Sequence, residues 1–246
     1  VPDGPLTAVT GELSVDGTVS GELARVPWAR DVAGIVVLTP SHVALLAPDK
    51  VRTTPGTNLA EEPRDTVTVS GPVACLADAA TGAAAELRLR AALGRAQLLA
   101  GAARGALART VRYAGERVQF GRPIGRFQAV QQQLALAAAE VAAAGAAASA
   151  AAATAERDGF GADATAFAVA AAKARTSEAA GEVARIAHQV HGAIGFTREH
   201  DLRLLTTRLW AWRDEDGNEA YWQARLGSTV LAAGADALWP MVTGTP

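Results

Sequence analysis

Apolar and polar positions follow two different patterns along this chain, and the change falls near residue 78. Upstream, apolar residues alternate with polar ones or gather in short β-branched runs. Leu13 and Val15 alternate in GELSVDGTVSGEL, and GIVVLT, HVALLA and DTVTVS follow, divided by Pro40, Pro48, Pro55 and Pro63. Alternation presents one face of a strand to a core, and proline lacks the amide that a central strand must donate. Asp16-Gly17 is a hairpin dipeptide. These signals predict a small, mostly antiparallel β-domain over residues 1–77 that lacks a strand or covering element.

Downstream, alanine and leucine recur at helical spacing, and turn signals are confined to GRPIGR, RDGFGAD, HGAIGFT and DEDGN. The pattern predicts helices from about Gly82 to Val118, from near Phe127 to Asp158-Gly159, and from an Asp163 N-cap to near Val190. A fourth runs from near Arg198 to about Ala233, broken at Asp214 to Asn218. Long helices joined by short loops pack as an antiparallel bundle, here over residues 78–246. The expected fold class is α+β, mainly α: a small antiparallel β-domain followed by an antiparallel four-helix bundle.

Composition narrows the functional classes. With 246 residues, 50% of them apolar, the chain can bury a substantial core. A net charge of −2 and a pI near 6.1 argue against nucleic-acid binding, which needs a basic surface. The single cysteine, Cys75, excludes an internal disulfide framework and a cysteine-based zinc site; in its apolar PVACLA context it is expected to be a buried thiol. The longest alanine-rich stretch, GAAASAAAATAER, is too weakly hydrophobic to read as a bilayer span, and no signal peptide opens the chain. The expectation is a cytoplasmic protein. Because the chain opens with Val1, it leaves room for an upstream segment.

One stretch concentrates candidate chemistry. RYAGERVQFGRPIGRFQAVQ sets Arg112, Arg117, Arg122 and Arg126 around Phe120, Gly121, Pro123 and Gly125, and then resumes helical spacing through Gln128 and Gln131. Any one of these arginines would complement a helix C-terminus. Together, an arginine fork, an aromatic, a Gly-Arg-Pro turn and a glutamine make a rim able to grip a pyrophosphate and a flat ring.

Residues 113–134, YAGERVQFGRPIGRFQAVQQQL, resemble the flavin-binding signature of acyl-CoA dehydrogenases, and QVHGAIGFTREH at 189–200 resembles that family's Q-x-H-G-G-x-G-Y/F-T-x-E stretch. The resemblance covers the family's middle β-domain and C-terminal bundle, and not its N-terminal helical domain. It implies α,β-dehydrogenation of an acyl-CoA to the 2-enoyl-CoA, with FAD as cofactor and an electron-transferring flavoprotein as acceptor. It also implies a homodimer, tetramer or heteromer, because the clamp serves a flavin bound mainly by a neighbouring subunit. Arg117 would bind the pyrophosphate, Phe120 the adenine end, and Gln128 would hydrogen-bond the cofactor. Gln189, with the backbone of His191, Gly192 and Ala193, would line another part of it. Ala193 stands where the family has a second glycine, so its methyl is tolerated only at negative φ. His191 as a base is the alternative to a structural histidine.

The implied base is a carboxylate beyond the second motif. Ungapped counting from Glu199 places Asp216-Gly217 on the family's Glu-Gly pair, with Glu215 one register away. The alternative is that RDEDGNE is only an acidic turn capping the next helix. A base on the first bundle helix would fall at Ala91, which carries no carboxylate; Glu86 is more than a turn away. Trp28 is shifted from the family's flavin-side tryptophan, with Gly21 and Leu23 in the usual positions, and Asn218 and Ala220 replace a threonine and a glutamine. VPWARDVAG and TREHDLRLL resemble a divergent actinobacterial branch with heteromeric members acting on bulky acyl-CoA substrates such as sterol side chains. Three readings follow: a dehydrogenase, a non-catalytic FAD-clamping subunit, or an assembly scaffold.

Overall fold

A computed structural model describes residues 2–16 and 18–243. The chain folds as two compact units, Val1–Arg88 and Leu89–Pro246, the division falling within the first turns of a long helix rather than at the composition change.

The first unit holds eight strands among its described residues: β1 (Leu6–Thr10), β2 (Ser14–Asp16), β3 (Thr18–Pro27), β4 (Gly34–Leu38), β5 (His42–Leu46), β6 (Arg52–Thr54), β7 (Arg64–Gly71) and β8 (Cys75–Asp78). They form two four-stranded sheets, β1-β4-β5-β8 and β2-β3-β7-β6. Every pairing is antiparallel except β1 with β4. β2 and β3 pair through Asp16 and Thr18, while Gly17 of the expected hairpin dipeptide lies outside the described residues. Val19, Leu23 and Val26 of β3, Ile35 and Val37 of β4, Leu46 of β5 and Val67 and Val69 of β7 share one core, so both sheets bury a face in it. A bulge between Leu23 and Val26, with Arg25 at φ 57°, shifts the alternation by one so that both apolar residues face inward. Cys75 is exposed, contrary to the apolar look of its sequence, because β8 is an edge strand paired only with β5.

The second unit is helical: α1 (Ala83–Glu116), α2 (Gln128–Asp158), α3 (Asp163–His191), α4 (Arg203–Asp214), α5 (Glu219–Ala233) and the short α6 (Leu238–Thr243). Between α1 and α2 lies a two-strand turn, β9 (Val118–Gln119) and β10 (Arg122–Pro123). Asp163 is the first residue of α3 and not its cap; Ala162 occupies the cap position without a side-chain hydrogen bond, and Asp163 instead sets a negative charge in the first turn. The core is built mainly from small residues, with Ala92 and Ala96 of α1, Ala151 of α2 and Ala170 and Ala172 of α3 buried around Val169 and Trp222. Small side chains let helix axes approach closely, so one indole fills space that several alanines leave.

Helix α2 corrects the reading of its alanine run. Its best 18-residue window has a mean hydropathy of 1.6, and the helix is long and apolar enough to cross a membrane by length and composition alone. It packs along α3, and the Arg175 guanidinium of α3 pairs with Glu140 near the middle of α2.

Candidate functional site

The turn after α1 is held by backbone bonds on both sides of Arg117. Its amide donates to Tyr113 O at 2.8 Å, and its carbonyl accepts from Ile124 N at 2.8 Å. Arg122 pairs with Gln119 across the turn, which leaves Phe120 and Gly121 as its two central residues at φ 54° and 79°. Both values lie in the left-handed region that type I′ turns require, and phenylalanine there costs roughly 1 kcal/mol or more. Phe120 is also 91% exposed, touching Phe127 edge-on with ring centroids 6.1 Å apart. The Arg122 guanidinium covers the Phe127 ring at 4.4 Å. Arg117 is exposed, and exposed Gln128 opens α2, where Gln131 Nε2 donates to Gly125 O at 3.0 Å.

The end of α3 is anchored by histidines. His191 is buried and stacks on Tyr113, with centroids 4.3 Å apart and the rings inclined by 19°. Its Nδ1 lies 2.8 Å from Ala187 O, which can only accept, so the proton is on Nδ1 and Nε2 is a lone-pair acceptor. That Nε2 is buried without a partner. Burial holds the imidazole below its ordinary pKa against the opposing Ala187 bond, so it is neutral at pH 7. His188 lies between Phe196 and Trp210, at 4.2 and 5.1 Å, and its Nε2 shares a hydrogen bond with Thr206 Oγ1 at 2.9 Å.

Beyond α3 the chain makes a short 3₁₀ turn, Gly192–Phe196. Gly192 adopts φ 64°, whereas Ala193 is absent from the described non-glycine residues at positive φ, so its methyl group carries no backbone strain. Gly195 is the glycine that packing demands, since a Cβ there would lie 2.9 Å from His191 Cβ.

These two regions meet at one cavity of about 410 Å³. Tyr113, Arg117, Gln119 and Ile124 line one side, and Gln189 through Ile194 the other. Gln189 is exposed there, beside the backbone of His191, Gly192 and Ala193. The fold thus brings Arg117 together with Gln189, His191, Gly192 and Ala193, while Phe120 and Gln128 stand near in sequence but outside the lining.

The acidic loop between α4 and α5 is a separate place. Asp216 sits at φ 57° ahead of Gly217 at φ 91°, a left-handed pair that aspartate tolerates better than most residues. Arg95 of α1 grips both candidate bases, with Nε 2.9 Å from Asp216 Oδ2 and Nη2 3.0 Å from Glu215 Oε2. Glu215 is nearly buried, whereas the Asp216 side chain is 28% exposed. Asn218 caps α5 by accepting from Tyr221 N at 2.9 Å, so capping falls to the asparagine two residues beyond Asp216 and not to the acids. Sequence reading missed Arg95 and the fully buried Lys173, which also reaches this loop.

Residues 83–226 match the model of the acyl-CoA dehydrogenase C-terminal domain, well over half of the chain. The chain belongs to the acyl-CoA dehydrogenase family. The acyl-CoA dehydrogenase IpdE2 of Mycolicibacterium smegmatis is 35% identical over 187 residues, which cover 71% of this chain and 57% of that protein. The chain therefore spans little more than half the length of that relative. The ChsE4–ChsE5 complex of Mycobacterium tuberculosis superposes with a TM-score of 0.83 at 24% identity, over 95% of this chain and 68% of that one. A variant of the Tcur3481–Tcur3483 steroid ACAD gives 0.78 at 26%, over 94% and 63%. The α+β, mainly α architecture is that of these acyl-CoA dehydrogenases. The family is FAD-dependent in general, and the residues present fit such a group. The cavity offers a guanidinium for phosphate, an unpartnered buried acceptor on His191, and open space beside Gly192, where a Cβ would meet nothing within 4 Å.

Proposed function

We propose that this chain carries the flavin clamp and the base loop of an FAD-dependent acyl-CoA dehydrogenase, which converts an acyl-CoA thioester into the 2-enoyl-CoA. The observation that carries this reading is the convergence of both motif stretches on one cavity, with Arg117 on one side and Gln189 to Ala193 on the other. Arg117 would hold the pyrophosphate, Phe120 would offer its exposed ring to the adenine end, and Gln128 would hydrogen-bond the cofactor. His191 is neutral and buried, suited to accept a hydrogen bond from the cofactor and not to act as the base. FAD, when bound, supplies the hydride acceptor for the β-carbon.

The chain's own chemical step is removal of the α-proton by a carboxylate, for which Asp216 is the more accessible candidate and Glu215 the alternative. Arg95 bonds one oxygen of each, Asp216 Oδ2 and Glu215 Oε2, so whichever carboxylate serves must take the proton on an oxygen lone pair beside that guanidinium. That grip is also the observation that favours a second reading, a clamping subunit whose partner provides the base. The two-component names of the ChsE4–ChsE5 and Tcur3481–Tcur3483 relatives support a heteromer, and the word steroid in the latter supports a sterol-derived acyl group within the wider fatty-acid class. An electron-transferring flavoprotein is the acceptor that the family resemblance makes natural.

The test is a flavin spectrum of the purified protein, followed by acyl-CoA-dependent dye reduction by the wild type, Asp216→Asn and Glu215→Gln. Bound flavin is expected, with turnover lost by roughly a hundredfold in one of the two variants. Flavin without turnover in any form favours the clamping subunit, and absence of flavin favours a scaffold. Arg117→Ala is expected to lower flavin retention and loosen the oligomer; full occupancy in that variant contradicts the clamp.

A further inference from the structure

Lys173 lies in the middle of α3 and is 0% exposed. A lysine is seldom buried so completely, and its ammonium has three donors to satisfy. All three are used: Nζ donates to Ser177 Oγ at 2.9 Å, to Arg213 O at 3.0 Å and to Gly217 O at 2.7 Å. Two of these acceptors are backbone carbonyls at opposite ends of the segment that carries Asp214, Glu215 and Asp216. A single ammonium therefore fixes the distance across the acidic loop from beneath. Two further bonds complete the frame: Trp222 Nε1 donates to Asp216 O at 3.0 Å, and Ser177 Oγ donates to Arg213 O at 3.2 Å.

We propose that Lys173 is a positioning residue for the reaction, fixing the backbone of the 214–217 loop so that Arg95 and an incoming substrate compete for the Asp216 and Glu215 carboxylates in one defined geometry. The proposal rests on the dehydrogenase reading, and nothing in it makes Lys173 touch substrate.

The electrostatics agree with the geometry. Burial, the largest influence, pushes the Lys173 ammonium down to about 8, with Arg95 adding to the fall and Asp216, Asp214 and Glu215 opposing it. Those five charged groups come from α1, α3, the end of α4 and the loop itself, and the Arg213–Glu219 ion pair spans the same loop at 3.3 Å. The lysine is thus cationic at neutral pH despite its burial, held in that state by the loop it supports. A neutral side chain of similar length would take the Lys173 donor from the Gly217 carbonyl and leave the Arg213 carbonyl with Ser177 Oγ, and a carbonyl that loses its donor frees the backbone to seek water.

The experiment is hydrogen–deuterium exchange on the purified protein and its Lys173→Met variant, resolved for peptides covering 213–222 and for α2 and the first half of α3. Exchange in 213–222 is expected to rise roughly tenfold in the variant while the helix peptides stay unchanged. Unchanged exchange in 213–222, or an equal rise throughout the bundle, overturns the proposal. If Lys173→Met does not fold, Ser177→Ala decides, since it removes one partner of the ammonium and one donor to Arg213 O. Faster exchange confined to 213–222 then supports the proposal, and wild-type exchange overturns it. In dye reduction, Lys173→Met is expected to lower kcat roughly tenfold with KM unchanged. Full kcat with a loosened loop overturns the role in the reaction. A wild type without turnover defeats the dehydrogenase reading instead, and with it the loop's part in chemistry, while the exchange result still reports whether Lys173 holds the loop.

Discussion

Asp65 in β7 shows what a single buried charge contributes to the first unit. Its carboxylate is 0% exposed and accepts from Arg30 N at 3.0 Å, Arg30 Nε at 3.0 Å and Gly56 N at 3.1 Å. Burial alone pushes its pKa up, but the bonds from the Arg30 side chain and from the two amides outweigh it and hold the group below the ordinary value. A depressed carboxyl gives stability that is fully present above the unfolded pKa of about 4 and is lost as pH falls through the folded one. Asp65→Asn is therefore expected to cost about 1–3 kcal/mol at pH 7, because it leaves the Arg30 and Gly56 amides facing an uncharged side chain that cannot accept from every donor present. Urea unfolding followed from pH 7 to 3 should show the wild type's advantage over the variant constant above about pH 5 and shrinking below about pH 4; an advantage that does not shrink there would count against this account. Nothing in the sequence advertised Asp65, whose partner Arg30 is 35 residues away. The same holds for Arg95, 121 residues from Asp216, and for Lys173, 44 from Gly217. Arg117, Gln189 and His191 were legible because each sits in a short local motif, whereas a charged contact between residues far apart in sequence is fixed only by which elements become neighbours.

Among elements, the β9–β10 turn sets stability against use. A turn with both central residues at positive φ favours Asn-Gly, yet this one has Phe120-Gly121, with the phenylalanine exposed to solvent. Strain and an exposed aromatic ring together are the mark of a contact surface and not of a core. Phe120→Asn is expected to raise thermal stability by roughly 1 kcal/mol while lowering flavin retention, measured as unfolding midpoint and as flavin-to-protein absorbance ratio. A variant that loses stability would show that the ring packs within the chain after all. Helices α1, α2 and α3 were legible to within a few residues from period alone, as long periodic segments allow. The Cys75 strand was misread for the opposite reason: PVACLA is apolar along its length, and only the edge position of β8 leaves the thiol exposed. Period reveals which face is apolar, and it cannot reveal whether anything covers that face.

For the molecule, the buried ammonium of Lys173 predicts an unusual dependence of stability on pH. Its pKa is about 8 when folded and 10.5 by the ordinary value, so between those limits the unfolded chain binds more protons than the folded one. Stability then rises with pH across that window, because below pH 8 the fold bears the cost of a buried cation and above it the native amine can be neutral. The gap corresponds to roughly 3 kcal/mol, set against a domain stability of about 5–15 kcal/mol. The quantity to measure is a double difference, which cancels every other group: the change in unfolding free energy from pH 7.5 to 10 in the wild type, less the same change in Lys173→Met. A positive value of about 2–3 kcal/mol is expected. A value near zero would mean that the folded lysine keeps its proton as readily as the unfolded one, and that its three hydrogen bonds fully offset its burial. The positive outcome has a consequence for how the bundle is built. At neutral pH that cost is offset only by the bonds the ammonium makes, and a methionine would remove the cost and the bonds together. What the ammonium provides, and methionine does not, is three directed donors on Ser177 and on both ends of the acidic loop. In Lys173→Met between pH 7 and 8 the loop is therefore expected to loosen more than global stability changes, because the removed burial cost offsets the lost bonds for the whole fold and not for the loop.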